Sequence, residues 1–514
     1  MIYSVYLTKQ EFLQSIIEIV EEEFKISRDL VKEQINQISH TFIEEINCYI
    51  EYPYVEKYYR DTYYNFYSKK HKSCKRNSIR ISFFSNCITH DALLDSEKNE
   101  LIEKNFFGFI TIRPTSYRIL GHSFLSPRIL INKEFVCCLC NKTVLISGHK
   151  LRVDGFPFCA QDNEAITCSE AAIINMMDYF SNKYSEYSVL LPSQVAKILS
   201  KQSYQRQLPS IGLPTENISY VLKKLGFGTV VYSSEKKNKD TYRPEEFKRI
   251  LFTYIESGIP LIATLSSKKS HHAVIVIGRK DFEELSNHKI LDLFNICKKE
   301  KYYFADMLEE LLIMNDNHSP YEIVNYNKPI QSTIDEDDSN YQIKSFIVPL
   351  YPKVHLEAYQ FQIFFHTIIE NFKKHEVTKH ISFLENDNYI IRYFLTSSRS
   401  YKNYIAKMPT ISKEIKTILL DQSMPRFVWV GEIIKGDIYK KDQVVESIIV
   451  VDATESGLND HLILATNTKY LIFKESIEEN HNEDSIYKII ELINEKFITF
   501  TNNLKGVHTQ WRNL

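Results

Sequence analysis

Residues 158–180 read FCAQDNEAITCSEAAIINMMDYF and join a short polar loop to an apolar helical pattern. The apolar residues recur at helical spacing, at Ile173, Met176, Met177 and Phe180. This spacing predicts a helix that begins near Cys168 and buries one face. A thiol at the start of a helix faces unpaired backbone N–H groups and the positive end of the helix dipole. These conditions favour the thiolate, which is the nucleophilic form of cysteine.

A histidine follows in a later strand pattern. Residues 258–263 (GIPLIA) and 270–278 (SHHAVIVIG) predict two buried strands, and His272 opens the second of them. A histidine at the exposed start of a buried strand is able to face a helix N-terminus across a cleft, as a thiolate–imidazolium pair requires. His271 is a rival base one residue earlier, and its side chain would point to the opposite face of the strand.

Two further polar side chains extend this set. Gln161 precedes Cys168 on the loop, so its side-chain amide would be able to donate to a developing oxyanion, with the backbone N–H of Cys168 as the second donor. Asp316 follows the next predicted strand, where a carboxylate would hold an imidazole in the correct tautomer. Asn315 and Asn317 compete with Asp316 for this third role.

The order Gln, Cys on a helix, His-Ala-Val on a strand, then Asp or Asn resembles the papain-like cysteine peptidase superfamily. The pair GxPLIA and HAVxVxG is most similar to the bacteriocin-processing (double-glycine) peptidases and their bacterial relatives, over roughly residues 155–350. The resemblance implies an α+β fold, in which a helix carrying the cysteine packs on an antiparallel sheet carrying the histidine, with α/β flanking regions. It implies four catalytic roles and no cofactor: Cys168 as nucleophile, His272 as base, Asp316 as orienting residue and Gln161 as oxyanion donor.

Length and local pattern divide the chain further. Its 514 residues exceed what one hydrophobic core usually serves. We assign an N-terminal α/β region to residues 1–150, the papain-like peptidase domain to 151–350 and a C-terminal α/β domain to 351–514. Periodicity and capping residues predict helices within 9–47 (N-cap Ser27), over 215–225 (N-cap Thr215), over 357–374 and 481–496, and in a polar insertion within 280–311. Apolar runs predict strands at 79–84, 107–113, 134–139, 143–146, 260–265, 272–277, 427–433, 447–451 and 462–465.

Three other motifs have a plainer interpretation. Cys137 and Cys140 form C-x-x-C, but no second pair stands at zinc-ligand spacing nearby, so we favour a half-buried strand. Residues 52–71 mix aromatic and basic side chains, as in single-strand nucleic-acid binding, yet the interleaved acidic residues favour a packed aromatic helix pair. Arg113 follows a predicted strand in Arg-Pro-Thr, where we expect a turn or an interdomain contact and assign no chemistry.

Composition excludes several classes of protein. Lys and Arg total 63 against 65 Asp and Glu, so we expect neither a nucleic acid nor a membrane as partner. No stretch approaches the ~20 apolar residues that span a bilayer, and the N-terminus lacks the pattern of a signal peptide. The nine cysteines are irregularly placed and suit a reducing compartment better than a disulfide framework. We therefore expect a cytoplasmic, multidomain protein.

Three functions are compatible with these residues. The first is a cysteine peptidase, a dedicated bacterial processing or effector protease, that hydrolyses a peptide or isopeptide bond of a protein substrate through a thioester. The flanking regions would select the substrate or restrain the site, which makes a regulatory protein partner a further expectation. The second function uses the same Cys–His site for deamidation or transpeptidation. The third is a non-catalytic protein-binding module, which a large separation of His272 from Cys168 would favour.

Overall fold

A computed structural model of the chain shows a mixed α+β architecture with antiparallel sheets, which confirms the coarse fold class expected from the sequence. No helix within the described ranges combines the length and the apolar character needed to cross a membrane. The structure describes residues 9–85, 88, 90–202, 207–234, 242–281, 284–285, 301–330, 341–374, 378–379, 381, 383, 389–435, 439–440, 443–456, 461–474 and 487–506.

The described residues form both α-helices and β-strands, often with several elements of one type in succession. The α-helices are α1 (Lys9–Phe24), α2 (Arg28–Ser39), α3 (Lys57–Asn65), α4 (His90–Leu94), α5 (Asn99–Asn105), α6 (Cys168–Lys183), α7 (Pro192–Leu199), α8 (Thr215–Lys224), α9 (Pro244–Glu256), α10 (Ala358–Lys374), α11 (Ser398–Lys407) and α12 (Lys413–Asp421). The strands up to residue 280 are β1 (Asn47–Tyr54), β2 (Ser78–Phe84), β3 (Phe106–Ile112), β4 (Ser123–Leu125), β5 (Phe135–Cys137), β6 (Cys140–Ile146), β7 (His149–Phe158), β8 (Gly228–Ser233), β9 (Leu261–Ser266) and β10 (His271–Lys280). The later strands are β11 (Glu284–Leu285), β12 (Lys301–Tyr303), β13 (Glu310–Met314), β14 (Glu322–Asn325), β15 (Gln342–Leu350), β16 (Tyr389–Ser397), β17 (Phe427–Lys435), β18 (Tyr439–Lys440), β19 (Val444–Val445), β20 (Ser447–Asp452), β21 (Leu462–Thr466), β22 (Tyr470–Lys474), β23 (Tyr487–Glu491), β24 (Phe497–Ile498) and β25 (Lys505–Gly506).

Most of these strands belong to three large sheets. The N-terminal sheet has the order β1-β2-β3-β4-β7-β6, and the C-terminal sheet has the order β12-β16-β17-β20-β21-β22-β23. The central sheet follows the order β14-β13-β10-β9-β15-β8, and β5 pairs with both β10 and β25 in that sheet. Strand pairs in the three sheets are antiparallel except for β12 with β16, which is parallel.

The central sheet and α6 are held together by apolar packing. β10 is buried along nearly its whole length, as its continuous apolar run predicts. α6 packs against β10 and also against β6 and β7 of the N-terminal sheet. It is therefore buried on all sides over Ser169–Phe180, more fully than the single apolar face predicted from its spacing, because two sheets cover it.

The sheets interleave along the chain. β5 and β25, from the two flanking regions, both pair within the central sheet. β12, from the middle of the chain, pairs with β16 in the C-terminal sheet. Each of the three predicted regions therefore shares backbone hydrogen bonds with another.

A buried network of four charged side chains joins α9 and the central sheet to the C-terminal sheet. Glu256 accepts hydrogen bonds from Arg279 Nε at 2.5 Å and from Arg392 Nε at 2.8 Å. Arg392 Nη1 also donates to Glu432 at 3.0 Å. Burial alone would raise the pKa of Glu256, but the two arginines outweigh burial and lower it, so the carboxylate stays charged.

The predicted helix over 481–496 is wrong where the structure describes it. Residues 487–491 form β23, which pairs with β22 at one edge of the C-terminal sheet. A short apolar pair such as Ile489 and Ile490 fits either periodicity, and pairing with β22 decides the outcome. Residues 481–486 lie outside the described residues, as do residues 286–300 of the predicted insertion.

Two smaller expectations also differ from the structure. Thr215 is the first residue of α8 rather than its N-cap, because Pro214 takes the N-cap position. The Thr215 hydroxyl lies 3.4 Å from that of Ser345 instead of capping the helix. The aromatic segment forms α3 and a 3-10 turn, Tyr67–Lys69, in place of a helix pair, although Tyr59 and Tyr67 are buried as expected of packed aromatics.

Glu256→Ala is expected to destabilise the protein strongly, because it leaves two buried arginines without their shared carboxylate. We expect the free energy of unfolding to fall by about 3–5 kcal/mol, measured by urea titration followed by circular dichroism. The matched control is Glu186→Ala, which breaks an ion pair of 2.7 Å with Arg426 where both side chains are about half exposed. That change should cost under about 1 kcal/mol, and equal losses in the two variants would contradict a structural role for the network.

Candidate active site

Cys168 is the first residue of α6, and a capping box fixes this end of the helix. The backbone N–H of the N-cap Thr167 donates to the carboxylate of Glu170, the third helical residue, at 3.2 Å. Ser210, on a neighbouring segment, donates to the same carboxylate. Cys168 is half-buried, and its Sγ lies 3.9 Å from Ser169 Oγ. The thiol is thus held at a capped helix N-terminus with part of its surface open.

His272 faces this thiol from the start of β10. Its side chain is 8% exposed and lines the same cleft as Cys168, and the interaction with this thiol raises the pKa of the ring. The Nε2 atom lies 2.9 Å from Asn315 Oδ1 and 3.3 Å from Asp316 Oδ1. Because Nε2 is engaged on that side, Nδ1 is the ring nitrogen left for the thiol. The structure therefore brings Cys168, His272 and Asp316 together, and their catalytic roles stay predictions.

Strand register explains why the loop after β13 reaches His272. β13 pairs antiparallel with β10, with Met314 opposite Ile275. The residues after Met314 therefore run alongside the start of β10. Of the three candidates for the orienting role, Asn315 makes the shorter contact with the ring and Asp316 adds a nearby charge.

Gln161 contacts the same loop from the other side. Its side chain is 7% exposed, and its Nε2 donates to Asn317 Oδ1 at 2.6 Å. Since a side-chain amide carries two N–H groups, this bond uses one and orients the other. Asp162 shapes the segment between Gln161 and α6, because its Oδ1 accepts from the backbone N–H groups of residues 164, 165 and 166 at 3.0, 2.8 and 2.8 Å.

The electrostatics of the site favour a protonated imidazole. Burial alone would lower the pKa of His272, but Cys168, Asp316 and Asn315 raise it from 6.5 to about 9. Burial raises the pKa of the Asp316 carboxyl, and the charge of His272 opposes this effect. The imidazolium is therefore the main form of His272 at neutral pH.

An open cleft of about 930 Å³ lies beside Cys168 and His272. It runs between the segment 211–215 and the strands β8, β9, β10 and β15. Its lining combines apolar and hydroxyl side chains, among them Ile211, Leu213, Val231, Leu265, Thr264, Ser266 and Ser345. A cleft of this size and character is able to hold several side chains of an extended peptide.

The other sequence motifs lie away from this contact or at its rim. His271 is exposed and lines the cleft. Cys137 and Cys140 are buried in the sheets, and burial raises the pKa of both thiols. Across the described part of the chain, no group of three or more His, Cys, Asp or Glu side chains is arranged to hold a metal ion.

Two contributions to the site were missed by the sequence analysis. Arg113 is 2% exposed and its Nη2 donates to the carbonyl oxygens of Ala160 at 2.5 Å and Gln161 at 2.9 Å. Glu322 accepts from Asn315 Nδ2 at 3.4 Å. Both contacts depend on how sheets and loops meet in space, and no local pattern in the sequence signals them.

Iodoacetamide at about pH 6, below the ~8.5 of an ordinary thiol, is expected to alkylate Cys168 selectively. The internal control is Cys74, which is also partly exposed but has no imidazole contact in the structure. We expect Cys168 to react at least about tenfold faster than Cys74, and His272→Ala to remove this difference. Peptide mass spectrometry locates the adducts, and equal rates for the two thiols in the unmodified protein would contradict an activated pair.

Two alkylating agents of different charge report the protonation of His272. Iodoacetate is an anion and iodoacetamide is neutral, so an imidazolium beside Cys168 favours iodoacetate only while the ring is charged. Because the pKa of His272 is raised, the ratio of the two alkylation rates should hold near neutral pH and fall as the pH rises through about 9.

The same ratio tests the influence of the neighbouring carboxylate. Asp316→Asn removes a charge that raises the pKa of His272, so the fall should move to lower pH. His271→Ala is the control and should leave the midpoint unchanged, since this exposed ring lies outside the contact. A midpoint that Asp316→Asn does not move would show that the carboxylate exerts no influence on the ring.

No protein-family model matches the chain, and no curated protein matches it either.

Proposed function

We propose that the protein is a cysteine peptidase of the papain-like superfamily, which hydrolyses a peptide or isopeptide bond of a protein substrate. One arrangement carries the proposal: Cys168 at a capped helix N-terminus shares a cleft with His272, whose far ring nitrogen is bonded to Asn315 and lies 3.3 Å from Asp316. A nucleophile, its base and a group that orients the base are the parts that acyl transfer to a thiol requires. The cleft beside them gives an extended peptide access to the thiol.

The packing of α6 supports the same proposal. α6 lies against β10, so the cysteine and the histidine come from a helix and from the antiparallel sheet beneath it. This is the relation of helix and sheet that the resemblance implies. The long separation of His272 from Asn315 in the sequence is bridged by the antiparallel pairing of β10 with β13.

In the first half of the reaction, the Cys168 thiolate attacks the carbonyl carbon and forms a C–S bond. The carbonyl electron pair moves to the oxygen, where the backbone N–H of Cys168 and the side-chain amide of Gln161 are the candidate donors. When the oxyanion collapses, the C–N bond breaks and the His272 imidazolium gives its proton to the leaving amine. A thioester and a neutral imidazole remain.

In the second half, neutral His272 takes a proton from water, and the resulting hydroxide attacks the thioester carbonyl. The C–S bond breaks, which releases the carboxylic acid and restores the thiolate and the imidazolium. Asn315 accepts from the ring through Nε2 in both halves, so Nδ1 stays directed at the reacting atoms. The raised pKa of His272 matches this role, because the ring must carry a proton when the amine leaves.

A mixture of native proteins and peptides whose amines are blocked serves as the substrate. Proteolysis of this mixture should depend on Cys168. We expect the unmodified protein to generate new α-amino termini, identified by mass spectrometry, and Cys168→Ala to lower their yield by about 10³-fold or more. Cys74→Ala is the matched control and should behave as the unmodified protein, because Cys74 lies outside the site.

The products also separate the competing functions. Conversion of glutamine to glutamate without new termini would identify a deamidase, and new amide bonds between peptides would identify a transpeptidase. Selective alkylation of Cys168 with no covalent change in any protein or peptide would instead favour the binding module.

A further inference from the structure

Arg113 is a buried cation that reaches from the N-terminal sheet to the loop before Cys168. It directly follows β3, and its side chain is almost fully enclosed. Its guanidinium donates through Nη2 to two consecutive carbonyl oxygens, those of Ala160 and Gln161, and Nη1 lies 3.7 Å from Cys159 Sγ. The strongest contacts of Arg113 are thus with the backbone that carries Gln161.

The environment of Arg113 is unusual for a buried charge. Among the described residues no carboxylate forms a direct ion pair with it, and its Nε has no hydrogen-bond partner. Burying a guanidinium without a directly paired anion is costly, and the two carbonyl bonds and the nearby carboxylates of Asp162 and Glu56 compensate for it. A planar guanidinium holds its N–H groups in fixed directions, whereas the N–H groups of a lysine ammonium rotate about the bond to the side chain.

Gln161 is consequently held both at its backbone and at its side chain. Arg113 holds its carbonyl oxygen at 2.9 Å, and Asn317 accepts from its side-chain amide at 2.6 Å. Beyond Gln161, three backbone N–H groups bonded to Asp162 form the turn that leads into α6. With the backbone fixed by Arg113, the free N–H of the Gln161 amide has one set direction relative to Cys168.

We propose that Arg113 is a positioning residue for Gln161, so that the N-terminal sheet is a working part of the acyl-transfer site. The proposal rests on the function proposed above, because it assigns Gln161 the task of stabilising an oxyanion. Arg113 itself touches no reacting atom and acts by orienting the loop.

Two small probes separate this role from a general structural one. Acylation of Cys168 by p-nitrophenyl acetate passes through an oxyanion and releases p-nitrophenolate as the thioester forms. Alkylation of Cys168 by iodoacetamide displaces iodide at carbon and forms no oxyanion. Arg113→Met should slow acylation by about 10- to 100-fold, up to the loss seen on removing one oxyanion donor, while the alkylation rate stays close to that of the unmodified protein.

A double-mutant cycle tests whether Arg113 acts through Gln161. Gln161→Ala alone should slow acylation. Adding Arg113→Met should slow it little further, because both changes act on the same donor, the Gln161 amide. Arg80→Met is the matched control. It removes another buried arginine of the same sheet, one paired with Glu51, and should leave both rates unchanged. If Arg113→Met does not fold, Arg113→Lys takes its place with an intermediate loss of acylation expected.

The outcomes are distinct. Unchanged acylation, an equal loss of acylation and alkylation, or additive losses in the double variant would each overturn the role of Arg113. If the unmodified protein is acylated no faster than Cys168→Ala, the proposed acyl-transfer function fails and this inference fails with it. Selective loss of acylation that does not add to Gln161→Ala supports both.

Discussion

The contact between Cys168 and His272 requires the start of α6 and the start of β10 to stay adjacent, and much of the surrounding packing acts on one of these two elements. Asp178 of α6 is bonded to His122 and Lys142 of the N-terminal sheet region, both at 2.8 Å. Burial alone would raise the pKa of Asp178, but His122 and Lys142 outweigh burial and lower it. The charged carboxylate of Asp178 therefore anchors α6 to the N-terminal sheet region, while apolar side chains of α6 pack on the central sheet. β10 is fixed in turn between β9 and β13 by backbone hydrogen bonds.

The loop after β13 links His272, the proposed base, to the loop that carries Gln161, the proposed oxyanion donor. Asn315 accepts from the ring of His272, whereas Asn317 accepts from the amide of Gln161, so alternate residues of one turn serve two partners. The direction of the Asn315 amide follows from its other contact. Because Nδ2 donates to the Glu322 carboxylate, Oδ1 must point the opposite way, towards the N–H of the imidazole. A displacement of this turn would therefore disturb the contacts of His272 and of Gln161 together.

The sequence predicted the features that depend on neighbouring residues. It did not predict those that depend on contacts between distant parts of the chain. The helix after Cys168 and the strand after His272 depend on local apolar spacing, and α6 and β10 occur at those places. The choice between Asn315 and Asp316 depends on the register of β13 against β10, which no single stretch of sequence specifies. Arg113 bonds to Gln161 although four strands lie between them in the sequence, so the Arg-Pro-Thr motif indicated only a turn or an interdomain contact. The chemical roles of Cys168, His272, Asp316 and Gln161 stay predictions, although the geometry is consistent with them.

The flanking regions contribute partners to buried charges of the central region. Asp178 takes its partners from the N-terminal sheet region, and Glu256 pairs with Arg392 of the C-terminal sheet as well as with Arg279 of β10. The loop after β13 is tied to the N-terminal region as well, since Ser319 donates to the carbonyl of Gln37 at 2.8 Å and Tyr321 to that of Leu125 at 2.6 Å. A buried charge that loses its partner costs several times more than the pair contributes when intact. Separation of the central sheet from either flank would therefore remove partners from buried groups, and the packing of α6 and β10 is a property of the three regions together.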